Sequence, residues 1–156
     1  MSLIRVVRLV APVVLGSLVL ATSAHAQQSK GEAAVEYRKS VYEVMAWNFG
    51  PMGAMAQGKV PYNAAEFAKR AERVAFIAPL LTEAFPPESQ GVKRTDLKPE
   101  AWSNRADFDA KLKDLIDRTA ALAATAKAGD FEKSKAAFFD AANTCKACHD
   151  KYKVKD

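Results

Sequence analysis

Phe108, Leu112, Leu115, Thr119, Leu122 and Ala126 stand at alternating steps of four and three residues. Phe131, Ser134, Phe138, Ala141, Cys145, His149 and Tyr152 keep to steps of three and four as well. Such steps average close to 3.5, return to one side of a helix, and suit helices packed side by side at a shallow angle. Two earlier segments behave in the same way. Val35, Arg38, Val41/Tyr42, Met45, Phe49, Met52 and Ala56 outline a first helix from about Glu32 to Gln57. Phe67, Ala71, Val74, Ala78 and Leu81 outline a second, begun by Asn63 as N-cap with Glu66 three positions on. The third runs from about Asn104 to Ala128 and stops at Gly129, where a left-handed turn is easy. Asp130 caps the fourth. The period-two alternation of strands is nearly absent.

Prolines punctuate this pattern. Pro51 removes a backbone donor late in the first helix, which predicts a bend there or an end to its regular part. Pro79 disturbs the end of the second helix, and Pro86-Pro87 closes it. Residues 86–103 form one long connection, with a short helical turn at Pro99 to Trp102. The first and third connections are short. The expected fold is therefore all-α: an up-down-up-down antiparallel four-helix bundle. Trp47 and Trp102 read as packing residues.

The chain opens differently. Arg5 and Arg8 precede an apolar run from Leu9 to Ala21, and Ala24-His25-Ala26 follows. That is the layout of a secretory signal peptide cut after Ala26, and the apolar run is short for a membrane span. The expected division is a cleaved signal peptide over 1–26 and one helical domain over 27–156, placed in the periplasm with no membrane segment after cleavage. The formal charge of +5 falls to +3 without the two arginines. So mild a balance, with no basic stripe, does not point to nucleic acid. Export would also remove His25, leaving His149 as the one histidine.

Both cysteines and that histidine fall in one stretch, Thr144-Cys145-Lys146-Ala147-Cys148-His149. Cys-x-x-Cys-His is the attachment signature for haem c. Residues three apart on a helix lie ~5–6 Å apart at Cβ, so one turn presents two thiols to two vinyl groups. His149, four after Cys145, projects from the same side and can bind iron. A thioredoxin-like dithiol wants a βαβ setting. Structural zinc wants four ligands. A disulfide across one turn would constrain little. The five-residue signature in an exported chain favours one covalently attached haem c over all three.

With these residues in view, the chain resembles cytochrome c′, the class II c-type cytochromes of bacteria. The resemblance covers nearly all of residues 32–153. It rests on AVEYRKSVYEVM (34–45), PEAW before the third helix, AKAGD (126–130) and TCKACHDKY (144–152). Class I cytochromes c carry the motif near the N-terminus; here it lies at the other end. The resemblance implies a haem inside the bundle, bonded by Cys145 and Cys148 and ligated by His149. It places Arg38 beside a haem propionate, which agrees with the rule that a buried arginine needs an anion. Lys39 is within reach of the same group, although water is its more natural surrounding. The basic residue four after the histidine, often arginine in the family, is Lys153 here, which keeps the charge but not the forked donor pattern.

Function then depends on what faces His149. Met45, Met52 and Met55 are the available methionines after cleavage. In low-spin relatives the ligand methionine lies five residues after the tyrosine of a Tyr-Arg pair. In this chain the pair is Tyr37-Arg38, and that position holds Tyr42. A neutral phenol is a poor iron ligand, so Tyr42 is expected to act as a lid over an open sixth position. Met45, one turn on, reads as core filler before ligand. The resemblance thus implies a five-coordinate, high-spin haem protein that binds nitric oxide and carbon monoxide, with electron transfer through a redox partner protein as a further role. It is not expected to be an enzyme, because no distal histidine is available for acid–base work. The alternative is a low-spin, six-coordinate electron carrier. The family is commonly a homodimer built on the first two helices.

Overall fold

The computed structural model describes residues 28–93 and 95–154. The leader expected over 1–26 lies outside the described residues. The described residues form five α-helices: α1 (Lys30–Ala56), α2 (Ala64–Ile77), α3 (Glu100–Ser103), α4 (Arg105–Ala126) and α5 (Phe131–Tyr152). The four long ones, α1, α2, α4 and α5, form the expected antiparallel bundle, and α3 is the short turn foreseen near Pro99.

Local chemistry sets the ends. At the start of α1 the Ser29 hydroxyl accepts from the Glu32 amide at 3.2 Å and the Glu32 carboxylate accepts from the Ser29 amide at 2.9 Å. This reciprocal cap satisfies two otherwise orphaned donors and starts α1 two residues earlier than expected. Asn63 caps α2 through the Glu66 amide at 3.0 Å. The Glu66 carboxylate does not complete that cap; it pairs with Arg70 at 2.7 Å. Asp130 accepts from the Lys133 amide at 3.0 Å and opens α5. Gly129, with φ of 72°, makes the left-handed turn between α4 and α5.

Pro51 does not end α1, which continues to Ala56. A proline at 51 leaves the Trp47 carbonyl without its donor. Arg70 on α2 replaces it, donating from Nη1 to that oxygen at 3.1 Å. The periodic residues form the core as expected. Phe67, Ala71, Val74, Ala78, Leu81 and Leu122 are all fully buried, and each large side chain among them contributes roughly 1.5–3 kcal/mol. Beyond α2 the chain tightens into a 3-10 turn, Ala78–Thr82, with Pro79 at its second position. Trp102 is half-buried against this core. Trp47 is not a packing residue: it is 77% exposed.

The long connection is tied to the end of α5. The Lys98 amide donates to the Tyr152 carbonyl at 2.8 Å, the Val154 amide donates to the Asp96 carbonyl at 2.7 Å, and Leu97 pairs with Lys153 in an antiparallel bridge. A second turn, Pro87–Ser89, presses on the start of α1. A Cβ on Gly31 would stand 2.1 Å from the Glu88 carbonyl oxygen, so only glycine permits that approach. These contacts bring the connection over one end of the bundle, where the side chains do not fill the interior.

Candidate functional site

At that end lies a cavity of about 520 Å³, within the range of cofactor and ligand sites. α1 supplies Arg38, Tyr42, Met45 and Phe49; α4 supplies Phe108, Lys111, Leu112 and Leu115; α5 supplies Thr144, Cys145, Cys148, His149 and Tyr152. Phe85, Thr95 and Leu97 of the connection close one side. The structure thus brings together every residue that the sequence nominated. Cys145, Cys148, His149, Arg38, Lys39, Tyr42 and Met45 all line this one space.

Both cysteines are free thiols, half-buried and one turn apart on α5. Burial pushes both thiols up, so they stand protonated. His149 is pulled down, first by burial and then by the Lys153 ammonium, which favours the neutral, ligating imidazole. Among the described residues no group of three or more His, Cys, Asp or Glu is arranged to hold a metal ion by itself. A zinc cluster is therefore not what this geometry offers.

Arg38 is 4% exposed. Nη1 donates to the Ala84 carbonyl at 3.3 Å and to Ser89 Oγ at 3.1 Å; Nη2 donates to Thr95 Oγ1 at 3.1 Å. The guanidinium also lies 5.0 Å from the centre of the Phe85 ring. These acceptors are neutral, so a buried cation faces the cavity with its charge uncompensated by them. Lys39 stands at the rim, 3.8 Å from Glu36 and largely in water.

Tyr42 is 37% exposed by area, yet it lines the cavity and burial raises its phenol above the usual range, with the two thiols adding to the rise and Arg38 opposing it. The accessible part of the ring therefore faces the cavity. Met45 is buried and lines the same wall.

The residues fit haem c. Paired thiols and an imidazole share one helical side, the walls are apolar, and a buried guanidinium waits for an anionic edge. Sequence reasoning missed Phe85, Thr95, Leu97 and Lys111. Phe85 stands just before Pro86-Pro87, off the periodic stripe; Thr95 and Leu97 lie on the aperiodic connection, and Lys111 falls on no apolar stripe. Phe108, Leu112 and Leu115 stand on the periodic stripe of their helix, and periodicity alone does not distinguish core from cavity wall. Among the described residues no helix is long and apolar enough to cross a membrane.

Comparison with known proteins follows the same lines. The family model for Cytochrome C' matches residues 33–153. Cytochrome c' of Alcaligenes xylosoxydans xylosoxydans is 40% identical over 129 residues, spanning 83% of this chain and 99% of that protein. Cytochrome c' of Rubrivivax gelatinosus is 38% identical over 128 residues, with 82% and 98% covered. Among solved structures, cytochrome c prime from Shewanella frigidimarina superposes with a TM-score of 0.78 at 39% identity, covering 82% of this chain and 99% of that one. A nitric oxide complex of a single-site mutant of cytochrome c prime from Alcaligenes xylosoxidans gives 0.74 at 40% identity, with 81% and 98% covered.

Proposed function

This chain belongs to the cytochrome c′ family and so carries covalently attached haem c, and from that premise we propose that it is a five-coordinate, high-spin haem protein that binds nitric oxide and carbon monoxide. The observation that supports the reading is Tyr42, which lines the cavity with its phenol raised by burial and, on the family pattern, stands where low-spin relatives carry the ligand methionine. When bound, haem c supplies an iron able to take a diatomic gas at an open coordination position.

The chain's own residues do the rest. Cys145 and Cys148 would hold the haem through two thioethers, which would remove their thiols from the electrostatics of Tyr42. Desolvation, the largest cause of the raised phenol, remains, so Tyr42 still does not ionise at neutral pH. His149, on α5, would ligate the iron. Arg38, with its neutral partners Ala84, Ser89 and Thr95, supports a carboxylate of the cofactor, and Lys39 lies at the rim beside it. Tyr42 restricts the distal space to small ligands, and Met45 fills the wall behind it. Phe49, Leu112 and Leu115 keep water from the pocket, which favours uncharged gases over anions. The relatives crystallised as nitric oxide complexes support this reading.

The alternative, a low-spin electron carrier with methionine ligation, has one observation in its favour: Met45 lines the same cavity. Optical spectroscopy of the reduced protein separates them. We expect a broad, weak visible absorption and a large change on adding nitric oxide. A sharp α-band, together with a methionine-to-iron charge-transfer band in the ferric form, would overturn the high-spin reading. Electron exchange with a redox partner protein is compatible with either state. A periplasmic location accords with haem attachment to an exported chain. A homodimer accords with the exposed Trp47 and Phe76 on the first two helices, at 77% and 80%.

A further inference from the structure

His149 stands in the last turn of α5, which ends at Tyr152. Terminal turns fray, because their last carbonyls have no intrahelical donors. A ligand carried on a fraying turn would sample several ring orientations, so something must hold this one. Tyr152 is 1% exposed. Its ring meets Phe108 of α4 edge-on, with centroids 5.3 Å apart and planes at 81°. Its hydroxyl donates to Asp107 Oδ2 at 2.5 Å, and the Lys151 ammonium donates to the same oxygen at 2.9 Å. The backbone pairing of Tyr152 and Val154 with the connection completes the anchorage. A side chain that only filled space would have no use for a buried hydroxyl aimed at a carboxylate. The bond is directional and charge-assisted, the kind that fixes a geometry. Asp107 itself does not line the cavity.

We propose that Asp107, acting through Tyr152, is a positioning residue that sets the orientation of the His149 ring. The inference rests on the proposed role of His149 as iron ligand. It gives the carboxylate a task beyond stability: it limits the ring to a single orientation under the metal.

The test uses the holoprotein and reads the hyperfine-shifted ring protons of His149 by NMR, with thermal unfolding beside it. Wild type and Asp107→Asn, whose amide oxygen still accepts from Tyr152, should show one set of resonances. Asp107→Ala and Tyr152→Phe should show displaced or multiple sets. Phe131→Ala, which removes the contact with Tyr62 at the far end of α5, should lower the unfolding temperature and leave the His149 resonances in place. If Asp107→Ala and Tyr152→Phe lower the unfolding temperature but keep the wild-type resonances, the contact is structural only and the proposal falls. Tyr152→Phe, which loses one oxygen atom, decides the matter if Asp107→Ala takes up no haem. The optical spectrum of wild type tests the proposed function separately. Methionine ligation would defeat that reading and leave the His149 resonances to judge this one.

Discussion

On the proposed function, Tyr42 acts through size and protonation together. Its ring occupies the cavity on α1, facing the cysteine-bearing turn, and its hydroxyl stays neutral because ionisation there would bury an unpaired charge. The cost of admitting a gas is then steric and not electrostatic. Tyr42→Ala should relieve a crowding of ~1–3 kcal/mol, which speeds carbon monoxide association by about 5- to 150-fold. Flash photolysis of the reduced carbon monoxide complex would measure it. An unchanged rate would mean that the ring does not restrict the site. Sequence periodicity places Tyr42 on the inward side, but its proposed place opposite His149 rests on the family pattern alone. Arg38 is similar: its inward direction was readable, whereas its three neutral acceptors were not, because Ala84, Ser89 and Thr95 belong to a stretch with no period.

The helices hold the site through their ends and through one repaired break. Pro51 and Arg70 form a pair that spacing along the chain does not reveal, since α1 and α2 had to be packed before the freed Trp47 carbonyl met its donor. Arg70→Ala should cost ~1 kcal/mol for the lost bond, with a smaller part from the half-exposed pair with Glu66. In a Pro51→Ala background residue 51 regains an amide hydrogen for that carbonyl, so the cost of Arg70→Ala should drop. Denaturant unfolding of the four proteins gives the coupling; none within error would mean that the bond does nothing for stability. Capping makes a second prediction. Asp130 is held below the usual carboxylate range, first by the Lys133 amide and then by the Lys133 side chain. A depressed folded value stabilises fully above the unfolded value of about 3.9 and is lost as pH falls through the folded one. The difference in melting temperature between wild type and Asp130→Ala should therefore be full at neutral pH and shrink below pH ~4. The Asp130 cap was legible in sequence; the one at Ser29 was equally legible as Ser-x-x-Glu and was passed over, because the apolar pattern begins only at Val35.

At the scale of the whole molecule the bundle has two unequal sides. α1, α4 and α5 surround the cavity, while α1, α2 and the 3-10 turn after α2 leave Val44, Trp47, Phe76 and Leu80 outward, 49%, 77%, 80% and 38% exposed. Single exposed aliphatics are ordinary, but a tryptophan and a phenylalanine left in water on neighbouring helices are what the proposed homodimer would cover. Lys69, Glu72 and Arg73 flank Phe76, the polar rim that such surfaces have. Neither Trp47 nor Phe76 lines the cavity, so association and gas binding can be separated by mutation. Trp47→Glu combined with Phe76→Glu would place two carboxylates from each copy inside a two-fold interface. We expect sedimentation equilibrium to report a dimer for the native chain at micromolar concentration and a monomer for the double variant. The optical spectrum and the carbon monoxide association rate should be the same in both. A native chain that sediments as a monomer would remove the interface. A spectrum that changed with dissociation would instead show that the dimer shapes the haem pocket, because α1 carries Trp47 on one side and Tyr42 on another and would transmit the loss between them.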